Sequence, residues 1–111
     1  MDSKLGRELR IKLGVALRTA KDLDYYEKEL VTLRMRIEEE RKNGSDCLRQ
    51  LQDVFSETEA MIPDARFRLQ RATQELEVAL NKASFAGAAD ESDTSRAEVL
   101  LQELRTKQLV R

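Results

Sequence analysis

Arg7, Arg10, Arg18 and Lys21 follow one another, with Gly14 among them, at steps of three and four. On an α-helix that spacing puts all five on one face, with the glycine baring backbone at its centre. Residues 1–21 carry six basic and two acidic side chains, a local charge of +4. Cations near a helix N-terminus oppose the macrodipole, as does the run Glu38-Glu39-Glu40 near the far end. Helix stability therefore does not explain the polarity. The face is either simply solvated or a dock for an acidic partner. Tyr25 and Lys28 are candidate partner-binding residues beside it.

A second constellation surrounds the only proline, in Met61-Ile62-Pro63-Asp64, with Phe67 and Arg68 following. Proline inside a helix removes one hydrogen bond and clashes with the carbonyl four residues back, here Glu59, at a cost of about 3 kcal/mol. It is either a tolerated kink or a bend kept for a partner. Phe67 falls on the outer face of the helical pattern, where an exposed aromatic is a common contact residue.

Catalytic chemistry finds little support. The chain has no histidine, so a general base would have to be a carboxylate or lysine in a dry pocket, which a slim bundle does not offer. One cysteine, Cys47, excludes a disulfide framework and a Cys/His metal cluster within one chain. Its place near a helix start is one where a reactive thiol can sit, but an ordinary, partly buried thiol is the simpler reading. No enzyme, no metal site and no cofactor is expected.

The elements that must carry these residues are long helices. From Leu48 the apolar positions read Leu51, Phe55, Thr58, Ile62, Ala65, Leu69, Ala72, Leu76, Ala79 and Ala83, alternating steps of three and four. This 3.5-residue period is a packing seam, and it keeps register through Pro63, so one kinked helix is expected, not two. Small residues end one sublattice of the seam, so its second half should meet more than one helix. The first helix, about 4–42, has Leu9, Leu13, Ala16, Ala20, Leu23, Tyr26, Leu30, Leu33 and Ile37 as its core. Leu5, Ile11, Val15 and Leu17 should widen its first half. Ser3 is a possible N-cap, and Asn43-Gly44-Ser45 should end this helix and cap the second, about 46–85.

So short a connection makes the two helices antiparallel. Facing residues should then have numbers adding to about 88, with Tyr26 across from Ile62-Pro63, in a rod roughly 60 Å long. A linker of about 86–94 leads to a third helix of about 95–109, where Ser95-Arg96-Ala97-Glu98 has capping-box spacing, although Asp90 could start it earlier. Ala97, Leu100, Leu101 and Leu104 should face inward. Folding back, this short helix reaches only the half of the rod whose apolar faces are wide. The fold expected is all-α: a single elongated antiparallel three-helix bundle over 1–111, with a bare two-helix hairpin at one end.

Composition agrees: 37% charged and 5% aromatic residues fill a narrow seam, not a thick core. A net charge of −1 points to neither nucleic acid nor membrane as partner. No apolar run nears the roughly 18 residues of a membrane span, and the charged start lacks a signal-peptide core. A soluble intracellular protein is expected, monomeric rather than dimeric.

With these residues in view, the chain resembles the tubulin-specific chaperone A (tubulin-folding cofactor A) family. The likeness is carried by Ile11-Lys12-Leu13-Gly14-Val15 with Arg18, Lys21 and Tyr26-Glu27-Lys28-Glu29, and by Met61-Ile62-Pro63-Asp64 with Arg68, Leu69 and Ala72. It spans roughly residues 9–83 and departs at Leu13, Leu17, Leu23 and Phe67, where the family tends to be more polar. The resemblance implies a cytoplasmic, cytoskeleton-associated chaperone, using no nucleotide or metal. Such a protein captures β-tubulin after the cytosolic chaperonin and holds it, with other tubulin-folding cofactors, for αβ-heterodimer assembly. The candidate binding set is Arg10, Gly14, Arg18, Lys21, Tyr25, Lys28, Met61, Pro63, Asp64, Phe67 and Arg68. The alternative is a structural coiled coil or an adaptor bundle for another cytoskeletal or vesicle protein.

Overall fold

The computed structural model describes residues 3–44, 46–107 and 109. They form α1 (Lys4–Asn43), α2 (Leu48–Phe85) and α3 (Glu91–Thr106). The bundle measures 63 × 22 × 21 Å, and its radius of gyration, 18.9 Å, exceeds the roughly 13 Å of a compact domain this long. This is a rod.

Local sequence sets the ends. Ser3 caps α1, its Oγ accepting from the Gly6 N–H at 2.9 Å. At the other end Gly44 takes a left-handed φ of 67° and donates to the Glu40 carbonyl. Arg41 and Lys42 in that last turn offset the acidic run before them, and Arg41 pairs with Glu38. The capping role expected of Ser45 lies outside the described residues. Helix α2 starts at Leu48, two residues later than expected, with Cys47 as an N-cap that makes no side-chain capping bond.

Every seam position of α2 is buried or half-buried, and α2 runs unbroken through Pro63. The polar member, Thr58, donates its hydroxyl to the Val54 carbonyl and so leaves no unsatisfied donor in the seam. The cross-helix contacts fix the register. Lys12 Nζ donates to Glu75 Oε2 at 3.3 Å, and the Arg34 guanidinium lies 5.7 Å from the centre of the Phe55 ring. Both pairs fit facing numbers that add to about 88.

Helix α3 covers one end only. Its Ala97, Leu100, Leu101 and Leu104 join Leu9, Leu13, Ala16 and Leu23 of α1 and Ala65 to Ala83 of α2 in one core. Leu33 and Leu51, in the bare hairpin, are buried outside that cluster. Arg10 Nε to Asp93 Oδ2 (3.2 Å) and Arg105 Nη2 to Glu77 Oε1 (2.6 Å) tie α3 down near its two ends. It runs parallel to α1 and antiparallel to α2. Thr73 and Leu80, off the seam, are buried too, since α2 meets a second helix there.

Two expectations need correction. Helix α3 begins at Glu91 and ends at Thr106, not at 95 and 109, so the linker shrinks to five residues. The cause is Asp90, whose Oδ1 accepts from the Ser92 and Asp93 N–H groups and adds a negative charge at the dipole's positive end. Ile11, expected to widen the apolar face, is 62% exposed. Two residues from both Leu9 and Leu13, it lies about 200° around the helix from them.

The α2–α3 joint is a Schellman turn: Gly87 has φ 66°, its N–H donates to Ser84, and the Ala88 N–H donates to the Ala83 carbonyl at 2.8 Å. The Ala88 carbonyl then closes on the first turn of α1. A Cβ on Gly6 would sit 2.9 Å from that oxygen, whereas one on Gly14 would meet only Arg18 Nη1 at 3.4 Å. The two glycines should therefore respond oppositely in thermal melts. Gly14→Ala should gain about 1 kcal/mol of helix propensity. Gly6→Ala should melt lower than the parent, as overpacking of about 1–3 kcal/mol outweighs the same gain. A higher melting point for Gly6→Ala would show that the joint yields freely.

Candidate functional site

The candidate residues fall on two surfaces, with Arg10 apart from both, and the structure adds a third surface. The first is the outer face of α1. Gly14 lets the Arg18 guanidinium fold back over the helix, and Arg7, Arg18 and Lys21 have no carboxylate at ion-pair distance among the described residues. Tyr25 is exposed on this side, its ring edge-on to Tyr26 at 5.7 Å between centroids. Lys28 instead donates to Asp24 at 2.8 Å, and that hydrogen bond, reinforced by the carboxylate's charge, raises its pKa above the ordinary lysine value.

Arg10 belongs elsewhere. Its Nε reaches the largely buried Asp93 carboxylate, so it anchors α3 rather than standing out as part of a docking stripe. Reversing its charge would set two carboxylates against each other.

The second surface surrounds Pro63. Pro63 leaves the Glu59 carbonyl without its helical donor, on an exposed part of α2. Phe67 is 62% exposed, and Met61 is exposed a third of a turn around the helix from it; Asp64 accepts from Arg68 Nε at 3.0 Å across one turn. Phe85, 97% exposed, and Val78 lie on the same outer strip as Phe67. The eighteen-residue step from Phe67 to Phe85 is five helical turns, a signal present in the sequence but masked because Phe85 ends its helix.

These two surfaces do not come together. Each residue turns a helix by about 100°. Arg7, Gly14, Arg18 and Tyr25 lie about half a turn from the buried Leu9, Leu13 and Ala16, as Phe67 does from Ala65, Leu69 and Leu76. Buried faces turn toward each other, so the outer ones point apart. No flat partner touches both Phe67 and that stripe.

The third surface went unread in the sequence: a cleft of about 350 Å³ between α1 and α3, lined by Leu17, Ser95, Arg96, Val99, Leu100 and Glu103. Val99 is 58% exposed, on a helix with four other inward apolar residues, and its place on that helix depends on the angle at which α3 settles.

Among the described residues no group of three or more potential ligands could hold a metal ion, and no helix is long and apolar enough to cross a membrane. What the rod offers is exposed helical surface with cations and isolated apolar side chains. That suits recognition of another protein.

Comparison with known proteins accords with this geometry. Residues 4–101 match the family model for tubulin binding cofactor A. Tubulin-folding cofactor A of Arabidopsis thaliana is 34% identical over 76 residues, 67% of each chain. Tubulin-specific chaperone A of Gallus gallus is 30% identical over 93 residues, covering 82% of this chain and 86% of the relative. That of Oryctolagus cuniculus is 29% identical over 92 residues, 81% and 85%. The crystal structure of tubulin folding cofactor A from Arabidopsis thaliana superposes with a TM-score of 0.76 at 28% identity, covering 92% of this chain and 96% of that one.

Proposed function

The chain belongs to the tubulin binding cofactor A family, a family of chaperones and not of enzymes, and we propose that it captures β-tubulin after the cytosolic chaperonin. It holds that subunit, with other tubulin-folding cofactors, until the αβ heterodimer is assembled, and it works as a monomer in the cytoplasm beside the cytoskeleton. The observation that supports this reading is the set of cations on the outer face of α1, Arg7, Arg18 and Lys21, which no carboxylate of the described residues neutralises. An acidic client completes them. The contact set comprises Gly14, Arg18, Lys21, Tyr25 and Lys28 on α1 and Met61, Pro63, Asp64, Phe67 and Arg68 on α2. Since the two faces point apart, the client reaches them with separate segments.

The test leaves Arg10 in place, because it holds Asp93. In the double variant Arg18→Glu, Lys21→Glu, both changes lie on exposed positions, so helicity and melting point should stay close to the parent. Co-migration with β-tubulin should weaken about tenfold or more, and its dependence on salt should flatten, since exposed cations act chiefly on encounter. Undiminished capture at every salt concentration would remove the α1 face from the binding site.

A further inference from the structure

We propose that the cleft between α1 and α3 is where an acidic amphipathic helical segment of the client lies down. The proposal rests on the tubulin reading for the client's identity but not for the groove's chemistry. The floor is apolar: Leu17 and Leu100, with Val99 standing 58% exposed at the edge of a void of about 350 Å³. Leu17 is half-buried, its inner side packed on the core, and Val99 is exposed although both belong to the thickest part of the rod, so an apolar strip stays open beside α3.

The rim is cationic. Arg96 lines the cleft on the α3 side and has no carboxylate at ion-pair distance among the described residues. On α1, Lys21 stands one turn beyond Leu17, and the Arg18 guanidinium folds back over Gly14, one turn before it. Glu103 is the one carboxylate among the lining residues, toward the C-terminal end of α3. An occupant with apolar residues at i, i+3, i+4 and i+7 would seat them on Leu17, Val99 and Leu100. Its flanking carboxylates would reach Arg18, Lys21 and Arg96. Glu103 sets the polarity, favouring an occupant whose acidic end lies toward Arg96. The α3 lining residues, 95–103, span about 12 Å, enough to seat about two turns of helix before Asp24 and Glu27 of α1 border the next cleft. The partner is thus defined by chemistry: a short helix, acidic on its flanks and apolar on one stripe.

Two measurements test this. A fluorescent synthetic 15-residue helix, with leucine on one stripe and glutamate on both flanks, is titrated by polarisation against the parent, Val99→Glu, Arg96→Glu and, as a control, Met35→Glu. The positions changed are all exposed, and melting curves check that each variant is folded. Val99→Glu and Arg96→Glu should each weaken the peptide at least tenfold, and Met35→Glu should leave it within twofold. Failure of the parent to bind the peptide, or equal loss in the control, overturns the groove. The same variants are then tried in β-tubulin co-migration, with the peptide as competitor. Capture by the parent that neither groove variant weakens would also overturn the proposal, leaving the tubulin reading intact. Peptide bound in the groove by a parent that captures no tubulin would uphold the groove and sink the tubulin reading instead.

Discussion

Leu69→Ala should cost about 2–5 kcal/mol, the range for truncating a fully buried leucine. Leu69 is 0% exposed and lies in the core where all three helices contribute side chains, so its neighbours relax only in part into the space left behind. For a domain of this size each kcal/mol moves the melting point by roughly 4 °C, so the loss is plain in a thermal scan. Leu48→Ala makes the same chemical change in the bare hairpin, where the side chain is only half-buried and water can reach the vacated space. It should cost clearly less, under about 2 kcal/mol. Urea unfolding of the two variants side by side decides the matter. Equal losses would mean that packing by α3 adds nothing to the core at Leu69.

Pro63→Ala should do the reverse to stability and harm function. The alanine returns an N–H to the Glu59 carbonyl and removes the ring that crowds it, worth about 3 kcal/mol on helix propensities. From this about 0.4–1 kcal/mol is subtracted, because proline also restricts the unfolded chain. A net rise of about 2 kcal/mol is expected. The same change takes up the free Glu59 carbonyl and reshapes the backbone under Met61, Asp64 and Phe67, so β-tubulin co-migration should fall although the free protein is more stable. A variant that melts higher and captures tubulin as well as the parent would make Pro63 a merely tolerated residue, and it would leave the proposed contact set.

Much of the fold was legible in the sequence because helical packing writes itself as period. The α2 seam from Leu48 to Ala83, its continuity through Pro63, the antiparallel register and the confinement of α3 to one end all follow from spacing and from the shortness of the Gly44 turn. What period does not encode is the angle at which one helix lies around another. The Arg10–Asp93 pair needs α3 on a particular side of α1, and Asp93 is helical only because Asp90 outcompetes Ser95 as the cap. Without that geometry Arg10 reads as one more surface cation. The same lack hid the cleft at Val99 and the divergence of the α1 stripe from Phe67. Ile11 shows the opposite error: an apolar residue beside a seam is not thereby inside it.

The place where α3 ends has a mechanical meaning. Leu104, Lys107 and Leu109 line a shared cleft with Leu23 and Glu27 of α1, and on the antiparallel register that stretch of α1 faces α2 at about Pro63. A beam that thins from three members to two concentrates flexure at the step, and here the step coincides with Pro63, which donates no axial hydrogen bond inside α2. The stiff half holds its shape as a plate. The slender half beyond it is a cantilever whose root is already weakened, so lateral load from a large client turns the molecule at one point instead of bowing it along its length.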